Sequence, residues 1–235
     1  MKNYLFLISL LALATLNSCI KDKKCREKQP ILLEQEMKDW IYFQPGSYWI
    51  YEDSVTKTVD SVYVTEAKIE REEHILSSEN CPYRIEDRVY ITTGSTLGKK
   101  IQIDGAYSLG TGVINDTTNT RGTATIRNQN HLGGDGGFSK YMFFPVVQGT
   151  IGRWASSWTF IKHDTIFPTY EVKGKMFENV LRVHDNANGA YSAESKFYHA
   201  KHVGVIRKEI YEMDKDNPNP KLLHVWELIN YKVIQ

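Results

Sequence analysis

The chain has 235 residues, of which 41% are hydrophobic, 12% aromatic and 24% charged. That balance fits a folded protein and excludes a disordered or collagen-like one. Lys and Arg number 29 against 28 Asp and Glu, so the chain carries no basic footprint for nucleic acid, and none is expected as a partner.

Residues 1–18 read as a secretion signal, with Lys2 as its positive start and residues 4–14 as its apolar stretch. That stretch is shorter than the ~20 apolar residues a membrane span needs. Leu16-Asn17-Ser18-Cys19 follows, and it resembles the lipobox of bacterial lipoproteins: an aliphatic residue and small residues, then a Cys. The resemblance implies cleavage before Cys19, diacylation of its thiol with fatty chains such as palmitate, and acylation of the new amine. Each buried methylene contributes about 0.8 kcal/mol, and stable anchoring takes two chains. Such a Cys19 is therefore expected to hold the protein on membrane lipid. Cys25 and Cys81 are left over, either as a disulfide in an oxidising envelope or as two thiols.

Residues 19–29 form the lipidated tether, with five basic and two acidic side chains over 20–29 and no apolar period. Extended, it reaches at most about 35 Å. Residues 30–40 have Leu33, Met37 and Trp40 at i, i+4 and i+7 behind Pro30, which predicts one short N-terminal helix. Period-2 alternation then takes over: Tyr83, Ile85, Val89 and Ile91; Ile101 and Ile103; Trp154, Trp158 and Phe160; Leu181 and Val183; Val225, Ile229, Tyr231 and Val233. Frequent turn residues divide these runs, and short strands so punctuated predict an antiparallel all-β domain, one unit over 30–235. Residues 105–137, rich in Gly, Asn, Thr and Asp with a weak strand over 123–127, read as a long excursion or an edge hairpin. Residues 214–220 read as an exposed hairpin loop.

Two pieces resemble secreted and lipoprotein families of Bacteroidetes that have no assigned activity. One is Tyr42-Phe43-Gln44-Pro45-Gly46-Ser47-Tyr48-Trp49-Ile50-Tyr51. The other is Gly174-Lys175-Met176-Phe177-Glu178-Asn179-Val180-Leu181-Arg182-Val183, with Phe197-Tyr198-His199-Ala200-Lys201-His202-Val203-Gly204-Val205-Ile206 after it. The resemblance implies a curled antiparallel sheet, half-barrel or lipocalin-like. Asp53-Ser54-Val55, Asp60-Ser61-Val62, Asp116-Thr117-Thr118 and Asp164-Thr165-Ile166 resemble the O-glycosylation acceptors of the same bacteria, which would modify Ser54, Ser61, Thr117 and Thr165. Ile20 follows Cys19, and no acidic cluster that marks surface export stands in the tether. That points to the periplasmic face of the outer membrane, with the cell surface as the alternative.

The search for chemistry finds little. Ala106-Tyr107-Ser108-Leu109-Gly110 resembles a nucleophile elbow but has no helical period after it. The seven His are scattered, with neither a H-E-x-x-H nor a paired C-x-x-C, so no metal site and no cofactor are expected. Residues 133–137 are glycine-dense, yet Asp135 would repel a phosphate. What remains is the aromatic content. Trp49, Tyr51, Trp154, Trp158 and Phe160 are the candidate lining of a groove for an apolar or glycan ligand, or else they fill a solid core. The sequence therefore predicts a non-catalytic, membrane-anchored envelope binding module. The rivals are a structural or assembly lipoprotein with a filled core, and a hydrolase of envelope or dietary polymers.

Overall fold

The computed structural model describes residues 30–75, 82–98, 100–107, 122–128, 138–153, 160–186, 193–214 and 217–235. Among the described residues one short helix, α1 (Gln35–Ile41), precedes twelve strands. These are β1 (Tyr48–Asp53), β2 (Val59–Ile75), β3 (Pro82–Ser95), β4 (Lys100–Tyr107), β5 (Gly122–Asn128) and β6 (Phe138–Phe144). They continue with β7 (Ile151–Arg153), β8 (Phe160–Val172), β9 (Lys175–Asn186), β10 (Ala193–Ala200), β11 (Gly204–Asp214) and β12 (Asn217–Lys232).

All twelve belong to one antiparallel sheet in the order β6-β5-β4-β3-β2-β1-β12-β11-β10-β9-β8-β7. The first and last strands are therefore central neighbours, with Tyr48 opposite Lys232 and Asp53 opposite Trp226. From that seam the chain meanders outward to β6 on one side and β7 on the other. The sheet is not closed by a ladder between β6 and β7, yet its two margins touch. The Phe143 ring of β6 lies on Gly152 of β7, where a Cβ would meet it at 1.9 Å. The Phe143 N–H donates to Nε2 of His163 in β8 at 3.1 Å.

The helix is shorter than the predicted residues 30–40, for an identifiable reason. Ile31 is used as a β-bridge: its N–H donates to Ile85 O, and the Asp87 N–H donates to its carbonyl, both at 2.9 Å. Only the residues after it are free to wind. Met37, Trp40 and Ile41 of the helix then join one buried cluster with Phe43, Trp49, Leu181, Val183, Ile206 and Leu228. Asp39 fastens α1 to the β10–β11 turn, accepting Lys201 Nζ at 3.1 Å while its carbonyl accepts the His202 N–H at 2.8 Å.

Gly204 ends that turn at φ +98°, where a Cβ would stand 3.4 Å from the Phe43 ring and 3.5 Å from Trp49 Nε1. A side chain there would be strained and crowded, so glycine is required by both conformation and space. The β8–β9 hairpin turns on Lys173 and Gly174, both at positive φ, as a two-residue primed turn demands. Within residues 105–137 the structure places the end of β4 and all of β5, so the stretch contributes strands near one margin of the sheet. Of residues 214–220, read from sequence as loop, Asp214 ends β11 and residues 217–220 belong to β12, with Asn217 paired with Asp214. No helix among the described residues is long and apolar enough to cross a membrane.

Candidate functional site

Register fixes which side chains share a face. Leu181, His199, Ile206 and Leu228, all fully buried, lie on the core face of β9, β10, β11 and β12. Two residues further along each strand the same face carries Val183, Phe197, Lys208 and Trp226, a lateral row that ends on Asp53 of β1. The next row is Asp185, Ser195, Ile210 and His224. Thus the apolar core face runs out into an aromatic and polar surface at the end of the sheet away from α1. Phe197, Lys208, Trp226, His224, Asp185 and Ser195 are each half-buried.

Asp53 organises one side of this surface. Its side chain is fully buried yet charged, because four donors meet it. Oδ1 accepts the Val225 N–H at 3.0 Å and the Val55 N–H at 3.1 Å. Oδ2 accepts the Thr56 hydroxyl and His224 Nδ1–H, each at 2.7 Å. Burial alone would raise its pKa, but these donors hold the carboxyl well below the usual carboxylate range. A carboxylate can only accept, so Nδ1 of His224 carries the proton, and in the neutral ring Nε2 presents a lone pair. The imidazole stacks on Trp226 with centroids 6.4 Å apart. On the other side, Lys208 Nζ stands 5.1 Å from the centroid of the Phe197 ring. Burial pushes the Asp185 carboxyl up, against the pull of His184 and Lys208.

Among the described residues, His224 Nε2, Trp226 Nε1–H, Ser195 Oγ and the Asp185 carboxylate have no hydrogen-bond partner. The opposite face of the same strands differs. There Arg207 donates to Glu209 Oε1 at 2.9 Å and Glu227 Oε1 at 2.6 Å. Tyr211 OH donates to Glu209 Oε2 at 2.7 Å, and Tyr198 OH to Glu209 Oε1 at 3.3 Å. Burial, with Glu209 beside it, pushes the Tyr198 phenol up to about 12. That face is a mutually satisfied lattice, whereas the core-face row offers donors and acceptors outward.

The residues singled out from sequence are distributed otherwise. Trp49 is nearly fully buried, packs edge-on against Phe43 at 5.1 Å, and donates Nε1–H to Val203 O at 2.6 Å. Tyr51 is half-buried and donates its hydroxyl to Val205 O at 2.8 Å. Both reach across β12 to the start of β11 and tie the central seam together. Phe160 opens β8, its backbone opposite Arg153 and Asn186. Trp154, Trp158, Thr117, Cys19, Cys25 and Cys81 lie outside the described residues.

Of the acceptor-like triplets, Ser54 donates to Glu227 Oε2 at 2.5 Å, and Thr165 Oγ1 accepts Arg182 Nη2–H at 3.2 Å. Ser61 is half-buried in β2. The aspartates before them have structural work: Asp60 accepts the Thr96 hydroxyl at 2.9 Å and the Leu97 N–H at 3.2 Å. No group of three potential metal ligands occurs among the described residues. The Asp53–His224 pair supplies the acid–base half of a hydrolytic triad, but among the described residues no hydroxyl meets Nε2.

Sequence reading missed Phe197, Lys208, Trp226, His224 and Asp185. The alternating run of Val225, Ile229, Tyr231 and Val233 marks a strand there, but periodicity alone does not say that the opposite phase, with His224, Trp226 and Leu228, faces the core. No family model, curated protein or solved structure matches the chain.

Proposed function

We propose that the chain is a membrane-anchored envelope protein that binds a ligand on the polar end of its core face, without covalent chemistry. The observation that carries this reading is the row Phe197–Lys208–Trp226–Asp53, flanked by Asp185, Ser195 and His224, with Trp226 Nε1–H, Ser195 Oγ, His224 Nε2 and the Asp185 carboxylate unpartnered among the described residues. Half-buried aromatic faces beside convergent polar groups are the usual make-up of a small-ligand site. The margin contact between Phe143 and His163 supports a sheet curled as a half-barrel, with that row on its inner wall. The filled region around Trp40, Phe43 and Trp49 leaves the other end for the ligand.

Acylated Cys19 supplies the anchor in this reading, and the tether places the domain within about 35 Å of the bilayer. The site is tested with full-length protein in detergent, exposed to soluble oligosaccharides and to palmitate while amide and indole NMR signals are followed. Shifts centred on Trp226 and Phe197, abolished by Phe197→Ala, are expected. No shift with any probe would overturn the binding reading. The anchor is tested separately: Cys19→Ser should leave the membrane fraction, and equal partitioning of both proteins would refute it.

A further inference from the structure

The site's chemistry selects among ligand classes, and this inference rests on the binding reading above. We propose that the ligand is a neutral, hydroxyl-rich sugar, and that His224 accepts one of its hydroxyl protons at Nε2 in a tautomer fixed by Asp53.

Three observations favour this occupant. First, the polar atoms alternate in kind: Trp226 Nε1–H donates, His224 Nε2 and Asp185 accept, and Ser195 Oγ does both. A polyol answers such a mixture, because each hydroxyl both donates and accepts. An acyl chain would leave all four atoms dry and unpaired, at a cost for each. Second, the charges disfavour an anion. Asp53 and Asp185 face the same surface as Lys208, the one cation of that row among the described residues, and the Lys208 charge works to keep the Asp185 carboxyl ionised. Third, Trp226 and Phe197 stand on alternate strands of one row with Lys208 between them. That is about 10 Å of separation at the usual strand spacing, room for successive rings of an oligosaccharide to lie on two aromatic faces.

Asp53 touches no ligand in this arrangement and is a positioning residue. Its role is legible in the nitrogen chemistry: Nδ1–H points at a buried carboxylate, so the lone pair must point at the site. His224→Gln keeps an acceptor at similar reach, and His224→Phe removes it.

The experiment uses full-length protein in detergent and four probes: maltotetraose, cellotetraose, tetragalacturonate and palmitate. At least one neutral tetrasaccharide should bind, with weaker or no binding of the uronate and the fatty acid. His224→Phe should weaken that binding about tenfold or more, and His224→Gln should recover part of it. Nitrogen-15 shifts of the wild-type imidazole should show a protonated Nδ1 and a bare Nε2, a measurement that needs no variant to fold. Binding of uronate or palmitate alone, at Trp226, would overturn the sugar assignment while leaving the binding reading intact. Unchanged affinity in His224→Phe, or a protonated Nε2 in the neutral ring, would overturn the role given to His224. Binding of none of the four would sink the assignment together with the reading beneath it.

Discussion

The backbone N–H of Phe143 donates to Nε2 of His163, and Nδ1–H of the same ring donates to Val147 O at 3.2 Å. An N–H donor on one side and a carbonyl acceptor on the other admit only the neutral, Nδ1-protonated imidazole. One uncharged ring thus clasps β6 to β8, strands from opposite margins of the sheet. Burial holds the pKa of His163 down to about 4, and that of His199, also fully buried, to about 3.

Acid should therefore weaken the fold early. A free imidazole titrates near 6.5, so between that pH and the folded values the unfolded chain binds more protons. Stability is fully present above about pH 6.5 and falls as pH drops toward 4, by about 3 kcal/mol for His163 alone. Asp53, Asp39 and Asp164, held below their usual range, lose their contributions only at lower pH. Asp185, pushed up, acts in the opposite sense. Urea midpoints at pH 7, 6, 5 and 4.5 should decline steadily. A flat profile would contradict the neutral clasp.

Gly152 and Phe143 should be coupled. A methyl at Gly152 has to displace the Phe143 ring, because the added Cβ would sit 1.9 Å from Cζ. Overpacking of this kind costs about 1–3 kcal/mol. Gly152→Ala should be clearly destabilising in the native background and nearly neutral once Phe143 is Ala. A double-mutant cycle by denaturant unfolding reads the difference, and additive losses would show that the two margins do not pack.

Trp49→Phe separates packing from ligand contact. It keeps an aromatic ring against Phe43 but deletes the donor to Val203 O. The expected loss is about 1–2 kcal/mol, from one hydrogen bond and an acceptor left buried. Sugar affinity should not change. A fall in affinity without a fall in stability would return Trp49 to the ligand-lining set.

Glu209 is the hub of the opposite face, accepting from Arg207, Tyr198 and Tyr211. Glu209→Ala leaves the Tyr198 and Tyr211 hydroxyls and the Arg207 Nε–H without this acceptor, while Arg207 keeps Glu227, and should cost about 1–3 kcal/mol. Binding at the core-face row should survive in the residual folded protein. Thermal denaturation and the NMR titration together check both halves of this expectation.

How much of this was legible beforehand depends on range. The antiparallel, strand-rich character was readable because alternation and turn residues are local signals, and β3, β9 and β12 fall where the alternating runs stand. The helix start was not readable, since the bridge between Ile31 and Glu86 is a tertiary competitor for the same backbone. Residues 217–220 looked like loop because Pro and Asn dominate them, yet pairing with β11 overrides that composition. The row of Phe197, Lys208 and Trp226 brings together three strands whose faces are set by long-range register and by bulges such as that at Tyr198 and His199. Spacing within one strand carries no such information. Trp49 and Tyr51 stood out by residue type alone, and residue type does not say whether an indole N–H meets a ligand or the chain's own carbonyl.

The placement of β1 against β12 has a consequence for biogenesis. Ser47 and Ile234 exchange hydrogen bonds across 187 positions of sequence, so the middle of the sheet cannot assemble until the polypeptide's tail is present. Each flanking meander can zip up by short-range contacts, but joining them requires closing nearly the whole chain into a loop, a slow and entropically costly event. A polypeptide that emerges from its leading end would remain in two unjoined wings, with raw strand edges, until β12 is available. Chaperone capture and proteolysis should concentrate on that interval, and trimming the tail by a few residues should be far more damaging than its distance from the ligand surface suggests.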